Sequence, residues 1–411
     1  MTATADPRYP RQNPGLLRSI YLPRTADALT SAMATYGIPL LVLATTHSAA
    51  LTGLAFTLEW VPRLIAAGWA GTVVDRRGAR AVFVLAPFGR ALVTGAGGLV
   101  LALHPGGSVA SLTVMALAAT TGMLTQFSYV AAETAGAAAS REAGQRAHRV
   151  QTVLLGVEQT ATLAGPAVAG LLLLTGPPRM LSVVTALSLL TALLALHTPP
   201  SPSSSADALK KSTSAGLLTG WRTICSLPAL GWLLTGLTLS NLATGFLQAA
   251  GPVIVVQHFG RSVAAVGLVW SAAAGATLLA VTLCRFAIDR FGLWRVGAIS
   301  AAIASLACLA AAQAPDYLSY LALVAVLMAA DGGMTVVLRT LRSHLIPPDR
   351  FGSTLSATIL ILLMPFPVAG ILTALTPPAA LDHVITACAV LQTLGLLLAF
   401  TCLRTDPALR T

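Results

Sequence analysis

Charged side chains are scarce in this sequence. Asp, Glu, Lys and Arg make up only 9% of its 411 residues, whereas 55% are apolar, and the mean hydropathy is +0.79. Soluble globular domains carry about 25% charged residues. The composition therefore predicts an integral membrane protein, and it excludes a secreted scaffold, a disordered regulator and a cytosolic enzyme.

Cysteine is scarce as well, and no two cysteines have the Cys-x-x-Cys spacing. All five lie in or beside apolar stretches: Cys225, Cys284, Cys308, Cys388 and Cys402. We interpret them as small buried residues and not as disulfides or zinc ligands. No ligand spacing indicates a metal and no nucleophile–base pair indicates an enzyme, so we expect neither a cofactor nor catalysis.

Acidic residues are outnumbered, with 14 Asp and Glu against 25 Lys and Arg, which gives a formal charge of +11. In a soluble chain this excess would suggest a nucleic-acid partner. Here uncharged stretches of about 20 residues, long enough to cross a bilayer, recur along the whole chain. They predict twelve membrane-spanning helices, near residues 19–44, 50–72, 81–103, 109–132, 150–174, 180–197, 228–256, 263–285, 295–313, 317–338, 353–376 and 384–403.

The basic residues fall mainly between alternate pairs of these helices. Arg8, Arg11, Arg18 and Arg24 are assigned to an N-terminal tail. Lys and Arg stay on the cytoplasmic side of short loops, so the pattern predicts a multi-pass protein of the inner (cytoplasmic) membrane with both termini in the cytoplasm. The positive charge then reflects topology, and we expect the lipid bilayer, and no nucleic acid, as its surroundings.

A Pro/Ser-rich stretch divides the chain in two. Residues 198–205 read TPPSPSSS, and Lys210-Lys211 follow, a composition typical of a linker. We predict a cytoplasmic N-terminal tail (1–18), a first six-helix bundle (19–197), a cytoplasmic linker (198–227), a second six-helix bundle (228–403) and a cytoplasmic C-terminal tail (404–411). We expect the protein to be a monomer.

The loop after the second helix of each half repeats a motif. Residues 71–80 read GTVVDRRGAR and residues 285–295 read RFAIDRFGLWR, so Asp-Arg-x-Gly recurs at the same point of both halves. A carboxylate at a helix end accepts hydrogen bonds from arginines or from a neighbouring helix N-terminus, and glycine permits a tight turn. We predict a latch that forms in one state of the protein and breaks in another.

These motifs resemble the major facilitator superfamily of secondary transporters. Its loop signature Gly-x-x-x-Asp-Arg-x-Gly-x-Arg is matched at Gly71, Asp75, Arg76, Gly78 and Arg80, and in part at Asp289, Arg290 and Gly292. Its antiporter signature in helix five is matched in part at Gly156, Gly165, Pro166 and Gly170. The resemblance implies an all-α membrane protein whose two pseudo-symmetric six-helix bundles work by alternating access.

Two further segments resemble one branch of that superfamily, the enterobactin-type siderophore exporters and macrolide efflux pumps. They are residues 58–63, LEWVPR, and Glu158-Gln159. The branch implies proton-coupled efflux of an amphipathic small molecule, although the helix-four arginine of drug–proton antiporters is absent from residues 109–132. Two alternatives stay open, a divalent metal-ion exporter similar to ferroportin and a membrane receptor that uses the same scaffold without transport.

Polar and ionisable residues inside the predicted helices are the candidate substrate and proton sites, because a charge within a membrane is costly. Glu59 and Arg63 are four residues apart and can pair, whereas Arg90 requires Asp27, Glu59 or Glu158 as its partner. Each group either titrates during transport or only fastens helices together, and the functional role is favoured for Asp27 and Glu158. The complete set is Asp27, Glu59, Arg63, Arg90, Glu158, Asn241, Gln248 and Asp331.

Two features of the second half concern helix shape. Asp331 lies beside Gly332-Gly333 and is alternatively the cap of an irregular helix. Pro365 and Pro367 are predicted to kink or break helix eleven, since proline lacks the backbone N–H that a helix interior requires.

Overall fold

Long apolar helices account for nearly all of the chain that the computed structural model describes, which is residues 16–142, 147–198, 213–346 and 351–404. Within these residues twelve helical spans are long and apolar enough to cross a membrane. The predicted all-α class and the predicted number of spans are therefore confirmed.

The described residues of the first half form six helices. A π-helical turn, Leu17–Tyr21, leads into the first of them. They are α1 (Leu22–Thr46), α2 (Ala49–Arg77), α3 (Ala79–Leu103), α4 (Gly107–Glu142), α5 (Ala147–Leu174) and α6 (Pro177–Ala195). Helix α4 continues ten residues beyond the predicted end at 132, which is where the uncharged run stops. Residues 133–142, ETAGAAASRE, contain good helix formers and no proline to stop the helix.

Eight helical segments lie in the part of the second half that the structure describes. They are α7 (Thr213–Ser226), α8 (Pro228–Val253), α9 (Val263–Phe291), α10 (Leu293–Ala311), α11 (Tyr317–Leu345), α12 (Phe351–Leu363), α13 (Pro365–Leu375) and α14 (Leu381–Leu403). A π-helical turn, Ile254–His258, extends α8, and a 3-10 turn, Pro378–Ala380, precedes α14. The predicted helix eleven is broken at Met364 into α12 and α13.

Helix α7 lies inside the segment that was predicted to be only a linker, and residues 199–212 of that segment lie outside the described residues. The helix is amphipathic and too short for a span, so a search for long apolar stretches does not find it. It packs against α12.

The two halves repeat the same packing. In the first half α2 packs on α4, α3 on α4 and α6, and α1 on α5 and α6. In the second half the equivalent pairs form, with α9 on α11, α10 on α11 and α14, and α8 on α13 and α14. The chain therefore folds as two pseudo-symmetric six-helix bundles.

The repeated turns also match in backbone geometry. Gly78 and Gly292 both have φ of +83°, a conformation that favours glycine. Their N–H groups donate to the carbonyl oxygens of Val74 at 2.8 Å and Ile288 at 2.9 Å. Both turns lie at the end of the molecule that exposes Arg76, Arg77, Arg290 and Arg295, which we call the basic face; the other end is the opposite face.

The bundles contact each other mainly near the opposite face. Helix α5 packs on α9, and α2 packs on α13. The Ala167 N–H donates to Ser271 Oγ at 3.2 Å, and Thr57 Oγ1 donates to the Pro367 carbonyl at 3.4 Å. On the basic side, α12 packs within the described residues on α7 and α8 of its own half. The bundles are thus joined at the opposite face and separate towards the basic face.

Glycine permits the closest of these contacts. A Cβ added at Gly267 would lie 2.3 Å from the Pro166 carbonyl oxygen, whereas one added at Gly275 of the same helix would meet only Leu163 Cδ1, at 3.4 Å. Overpacking of this kind costs about 1–3 kcal/mol. We therefore expect Gly267→Ala to weaken the α5–α9 contact, while Gly275→Ala leaves it intact.

To compare Gly267→Ala with Gly275→Ala, a cysteine is placed at Ser271 in a protein from which the native cysteines have been removed. Alkylation of Ser271→Cys should be several-fold faster with Gly267→Ala than with Gly275→Ala. Equal rates would mean that the contact at Gly267 does not hold the two bundles together.

Candidate functional site

A cavity of about 320 Å³ lies between the two bundles. Aromatic side chains form one part of its wall, and these are Tyr36, Trp60, Tyr129, Trp270 and Phe366. Ionisable side chains form another part, and these are Arg24, Asp27, Arg63, Glu158 and Asp331. Both bundles contribute residues to it, so relative motion of the bundles changes its shape and its access.

Asp27 and Arg90 form the most completely bonded ion pair of the site. Arg90 Nη2 donates to Asp27 Oδ1 at 2.7 Å, and both side chains are buried. The other guanidinium nitrogens donate to Ser188 Oγ at 3.1 Å, Ser31 Oγ at 3.2 Å and Thr125 Oγ1 at 3.3 Å. Four helices, α1, α3, α4 and α6, therefore meet at one guanidinium. Of the three partners that the sequence left open for Arg90, the structure selects Asp27.

Glu59 and Arg63 are held far more loosely. Arg63 Nη1 lies 4.0 Å from Glu59 Oε1, beyond hydrogen-bond distance. Glu59 is buried, and its Oε2 has no hydrogen-bond partner among the described residues. Among the described residues, Arg63 makes only long hydrogen bonds, at 3.4 Å each, to Gln126 Oε1 and Thr35 Oγ1. This pair has room to rearrange.

A chain of aromatic contacts runs from Arg63 into the second bundle. The Arg63 guanidinium lies 4.7 Å from the centroid of the Trp60 ring, a cation–π distance. The Trp60 ring is stacked on Phe366 of α13, with centroids 4.3 Å apart and an interplanar angle of 22°. A second pair, Tyr36 and Trp270, joins α1 to α9 at 5.6 Å. All four aromatic residues of these pairs line the cavity, and each pair joins one bundle to the other.

Arg24 was wrongly assigned to the N-terminal tail. It is a buried residue of α1 that lines the cavity. It pairs with Glu133, lies 3.7 Å from Glu158 Oε2 and covers the Tyr129 ring at 5.1 Å. Glu133 was also missed. Arg24, Asp27 and Ser31 share one helix face by their spacing, which was the available signal for Arg24.

The candidates of the second bundle have unequal surroundings. Asn241 Nδ2 donates to the Leu362 carbonyl at 2.8 Å, so it ties α8 to the end of α12 at the helix break. Gln248 is buried in the cavity wall. Asp331 accepts a bond from Ser240 Oγ at 3.3 Å. It does not cap a helix, since α11 continues through it from Tyr317 to Leu345.

The residues of the helix-five signature pack tightly, with one exception. A Cβ at Gly165 would lie 2.5 Å from Ala32 Cβ of α1, and one at Gly170 would lie 3.0 Å from Ala264 Cα of α9. The Pro166 carbonyl faces Gly267, as described above. A Cβ at Gly156 would meet no atom within 4 Å. Three of the four residues therefore bring α5 against α1 and α9.

The predicted latch is open in its described part. Asp289 and Arg290 are exposed, and within the described part of the chain Asp289 joins no ion pair. The side chain of Asp75 lies outside the described residues. The remaining signature residues lie at the basic face with exposed or half-buried positions, and they are Gly71, Arg76, Gly78, Arg80 and Gly292.

The described residues contain no group of three or more His, Cys, Asp or Glu side chains placed to hold a metal ion. The carboxylates of the cavity instead pair with arginines or with hydroxyl groups. What the site offers chemically is a set of hydrogen bonds, exchangeable ion pairs and aromatic surfaces.

Three solved structures illustrate what the fold is similar to. A D-xylose–proton symporter has a TM-score of 0.73 at 16% identity, with 95% of this chain and 98% of that chain covered. A bacterial homologue of the iron transporter ferroportin in the inward-facing state has 0.70 at 15%, covering 96% and 100%. The nucleoside transporter NupG has 0.68 at 15%, covering 96% and 100%. At these identities the likeness concerns the fold alone.

No curated protein matches the chain in sequence. Residues 25–369, in contrast, match the Major Facilitator Superfamily, and this match covers most of the chain. The chain belongs to the Major Facilitator Superfamily and is a multi-pass membrane transporter, not an enzyme.

Proposed function

We propose that this transporter, acting as a monomer, exports a small amphipathic organic molecule from the cytoplasm in exchange for protons. The observation that carries the proposal is the two-sided wall of the cavity. Trp60, Trp270 and Phe366 offer flat apolar surfaces, and Arg24, Glu158 and Asp331 offer charge and hydrogen bonds. An amphipathic molecule satisfies both sides at once.

The volume of the cavity bears on the size of the cargo. About 320 Å³ lies at the lower end of the roughly 300–1,000 Å³ that pockets for organic ligands occupy. A small siderophore or drug fits this state, whereas a macrolide requires the bundles to move apart.

The side on which the bundles are closed supports the proposed direction of transport. The bundles are joined at the opposite face, and the positive-inside rule assigns the basic face to the cytoplasm. The cavity is then reached from the cytoplasm, where an exported molecule enters. Closure of the basic face, with the latch at Asp75 and Asp289, would accompany opening of the opposite face.

Proton exchange is assigned to Glu59. Asp27 Oδ1 accepts two hydrogen bonds of 2.7 Å, from Arg90 and Ser128, and this arrangement fastens helices in every state. Glu59 has one buried oxygen without a partner in the part of the chain that the structure describes, and an arginine at 4.0 Å. A carboxylate so placed gains or loses a proton without dismantling the bundle, and either change alters its attraction for Arg63.

The metal-exporter alternative has the likeness to the ferroportin homologue in its favour. Asp27 is the residue at which this alternative is tested. Its bonds to Arg90 and Ser128 leave it poorly placed to bind a metal, because a cation would have to compete with a guanidinium at 2.7 Å. We therefore favour the organic cargo.

Flux into inside-out membrane vesicles tests the proposal. The panel contains catecholate siderophores, amphipathic drugs and divalent metals, each measured with and without an acidic vesicle interior. Uptake of an organic member that increases with the pH gradient supports it. Uptake of metals alone, or saturable binding without flux as a receptor would show, contradicts it.

The latch gives a separate expectation. Asp75→Asn should sharply reduce export without loss of the protein from the membrane, because the carboxylate supplies the bonds that close the basic face. Asp289→Asn, in the less complete copy of the motif, should have a smaller effect. Normal flux by a stably expressed Asp75→Asn variant would reject the latch.

A further inference from the structure

The second bundle contributes a single formal charge to the described lining of the cavity. Its lining residues are Asn241, Thr244, Gln248, Trp270, Met328, Asp331 and Phe366. Asp331 is the one Asp, Glu, Lys or Arg among them. The first bundle contributes two arginines and two carboxylates to the same lining. One side of the cavity is therefore mixed in charge, and the other side is only negative.

Asp331 differs from the other carboxylates of the lining because it has no arginine beside it. Asp27 and Glu158 each have an arginine nitrogen close by, at 2.7 Å and 3.7 Å. Asp331 forms no ion pair with any described residue, and the hydrogen bond that it accepts there, from Ser240 Oγ, is long at 3.3 Å. A carboxylate within a membrane is costly unless a positive charge or several donors stabilise it. Asp331 therefore lacks the cation that the carboxylates across the cavity already have.

A ligand in the cavity can contact this carboxylate. Asp331 is only half-buried, lies midway along α11 and lines the cavity. Oδ1 accepts the bond from Ser240, and Oδ2 has no hydrogen-bond partner among the described residues. Asn241, the next residue on α8, also lines the cavity. Its Nδ2 donates to the Leu362 carbonyl at 2.8 Å, so Oδ1 is the end of the amide that it has left to offer. Both side chains thus offer oxygen acceptors, which suit a ligand with N–H donors.

Aromatic rings line the same cavity. Trp270 of α9 lies against Tyr36, with ring centroids 5.6 Å apart, and Phe366 of α13 stacks on Trp60 at 4.3 Å. Aromatic faces attract cations as well as apolar groups. The rings that hold the apolar body of a cargo molecule therefore also favour a positive charge on it.

We infer that the cargo is an organic amine, and that Asp331 selects it by accepting hydrogen bonds from the ammonium group. The inference rests on the proposed function, because it names the class of organic molecule that the cavity between the bundles carries. An anion at this place would be repelled by the carboxylate, and a neutral molecule would leave the carboxylate without a cation. A protonated amine with an apolar body satisfies both the carboxylate and the aromatic rings.

Three naphthalene compounds that differ in charge test the inference. Naphthylethylamine is a cation at neutral pH, naphthylethanol is neutral and naphthylacetate is an anion. Binding is measured by equilibrium dialysis with the full-length protein in nanodiscs of zwitterionic lipid, and binding to empty nanodiscs is subtracted. We expect the wild type to bind the amine about tenfold more tightly than the alcohol, as one hydrogen-bonded charge contact would give, and the acid most weakly.

Asp331→Asn should abolish this preference, so that the amine binds as the alcohol does. The affinity for the alcohol should stay unchanged, which shows that the variant is folded. Asp331→Glu keeps the charge and should retain most of the preference. Asp316→Asn removes an exposed carboxylate outside the cavity lining; it is the matched control and should show the wild-type preference.

Three results would overturn the inference. They are an amine that the wild type binds no more tightly than the alcohol, an acid that it binds more tightly than the amine, and a preference for the amine that survives in Asp331→Asn. Because this assay measures binding and not flux, its failure is distinct from failure of the proposed function. Organic flux without a preference for amines would reject only the inference, whereas an Asp331-dependent preference without any organic flux would reject only export.

Discussion

Arg90→Met should destabilise the protein by about 3–5 kcal/mol, the usual cost of breaking a buried ion pair from one side. The substitution keeps the apolar volume but removes donors to Asp27, Ser31, Thr125 and Ser188. Asp27, 2% exposed, is then left with a buried charge and only Ser128 as a donor. Because the guanidinium joins four helices, the loss affects the whole first bundle.

The measurement is the thermal unfolding of the purified protein in nanodiscs. Arg77→Met, at an exposed position in the last turn of α2, is the control and should change the unfolding temperature little. Adding Asp27→Asn to Arg90→Met should recover part of the loss, since it removes the unpaired charge. If Arg90→Met unfolds like Arg77→Met, the pair does not fasten the bundle.

The sequence was sufficient for the helices because hydropathy is a local property. A run of about 20 uncharged residues predicts a span wherever it occurs, and Pro365 predicts the break between α12 and α13 for an equally local reason. The errors arose where a helix is not a long uncharged run. Helix α4 continues past Glu133, the charge at which its uncharged run stops. Helix α7 is amphipathic and has no long apolar run to detect.

The ion pairs could be predicted only within one helix. The spacing of Glu59 and Arg63 places them on the same face, and the structure brings them to 4.0 Å. The partner of Arg90 depends on which helices pack together, so the sequence left three acids open. Arg24 was missed because the positive-inside rule already accounts for an arginine near the start of a helix, without any partner. In addition, its contact with Glu133 joins residues 109 positions apart, which a sequence does not reveal.

The ranking of the acids also required the structure. Helix position favoured Asp27 and Glu158 as functional residues and treated Glu59 as equally suited to fastening. We propose the reverse order for Asp27 and Glu59, because Asp27 Oδ1 accepts two hydrogen bonds, whereas Glu59 has a buried oxygen without a partner in the described residues. The number of hydrogen bonds that each carboxylate accepts distinguishes an ion pair that fastens helices from one that can rearrange. A sequence does not show that number.

Glu59→Gln should abolish the stimulation of export by a pH gradient while leaving cargo binding and downhill exchange in place. Glutamine has nearly the same shape and can hydrogen-bond, but it cannot exchange a proton or hold Arg63 by charge. The cargo contacts of the cavity wall remain. We expect a separation of two rates: gradient-driven uptake falls to the level without a gradient, and counterflow between equal cargo pools continues.

The assay uses inside-out vesicles and whichever panel cargo the wild type transports, with Glu59→Asp as the conservative variant. Aspartate keeps the proton but moves it away from Arg63, so part of the stimulation should return. Asp316→Asn, at an exposed loop residue outside the cavity, controls for the loss of any carboxylate. Full gradient stimulation in Glu59→Gln would exclude Glu59 as the proton carrier.

The same experiment bears on how a proton moves the bundles. Arg63 lies between Glu59 and the Trp60 ring, and Trp60 stacks on Phe366 of the other bundle. When Glu59 is protonated its attraction for Arg63 disappears, and the guanidinium is free to strengthen its cation–π contact or to bind cargo. Phe366→Ala removes the far end of this chain and leaves the ionic pair intact. If Glu59 acts through the stack, Phe366→Ala should lose gradient stimulation as Glu59→Gln does, whereas a proton site that acts elsewhere would leave it unchanged.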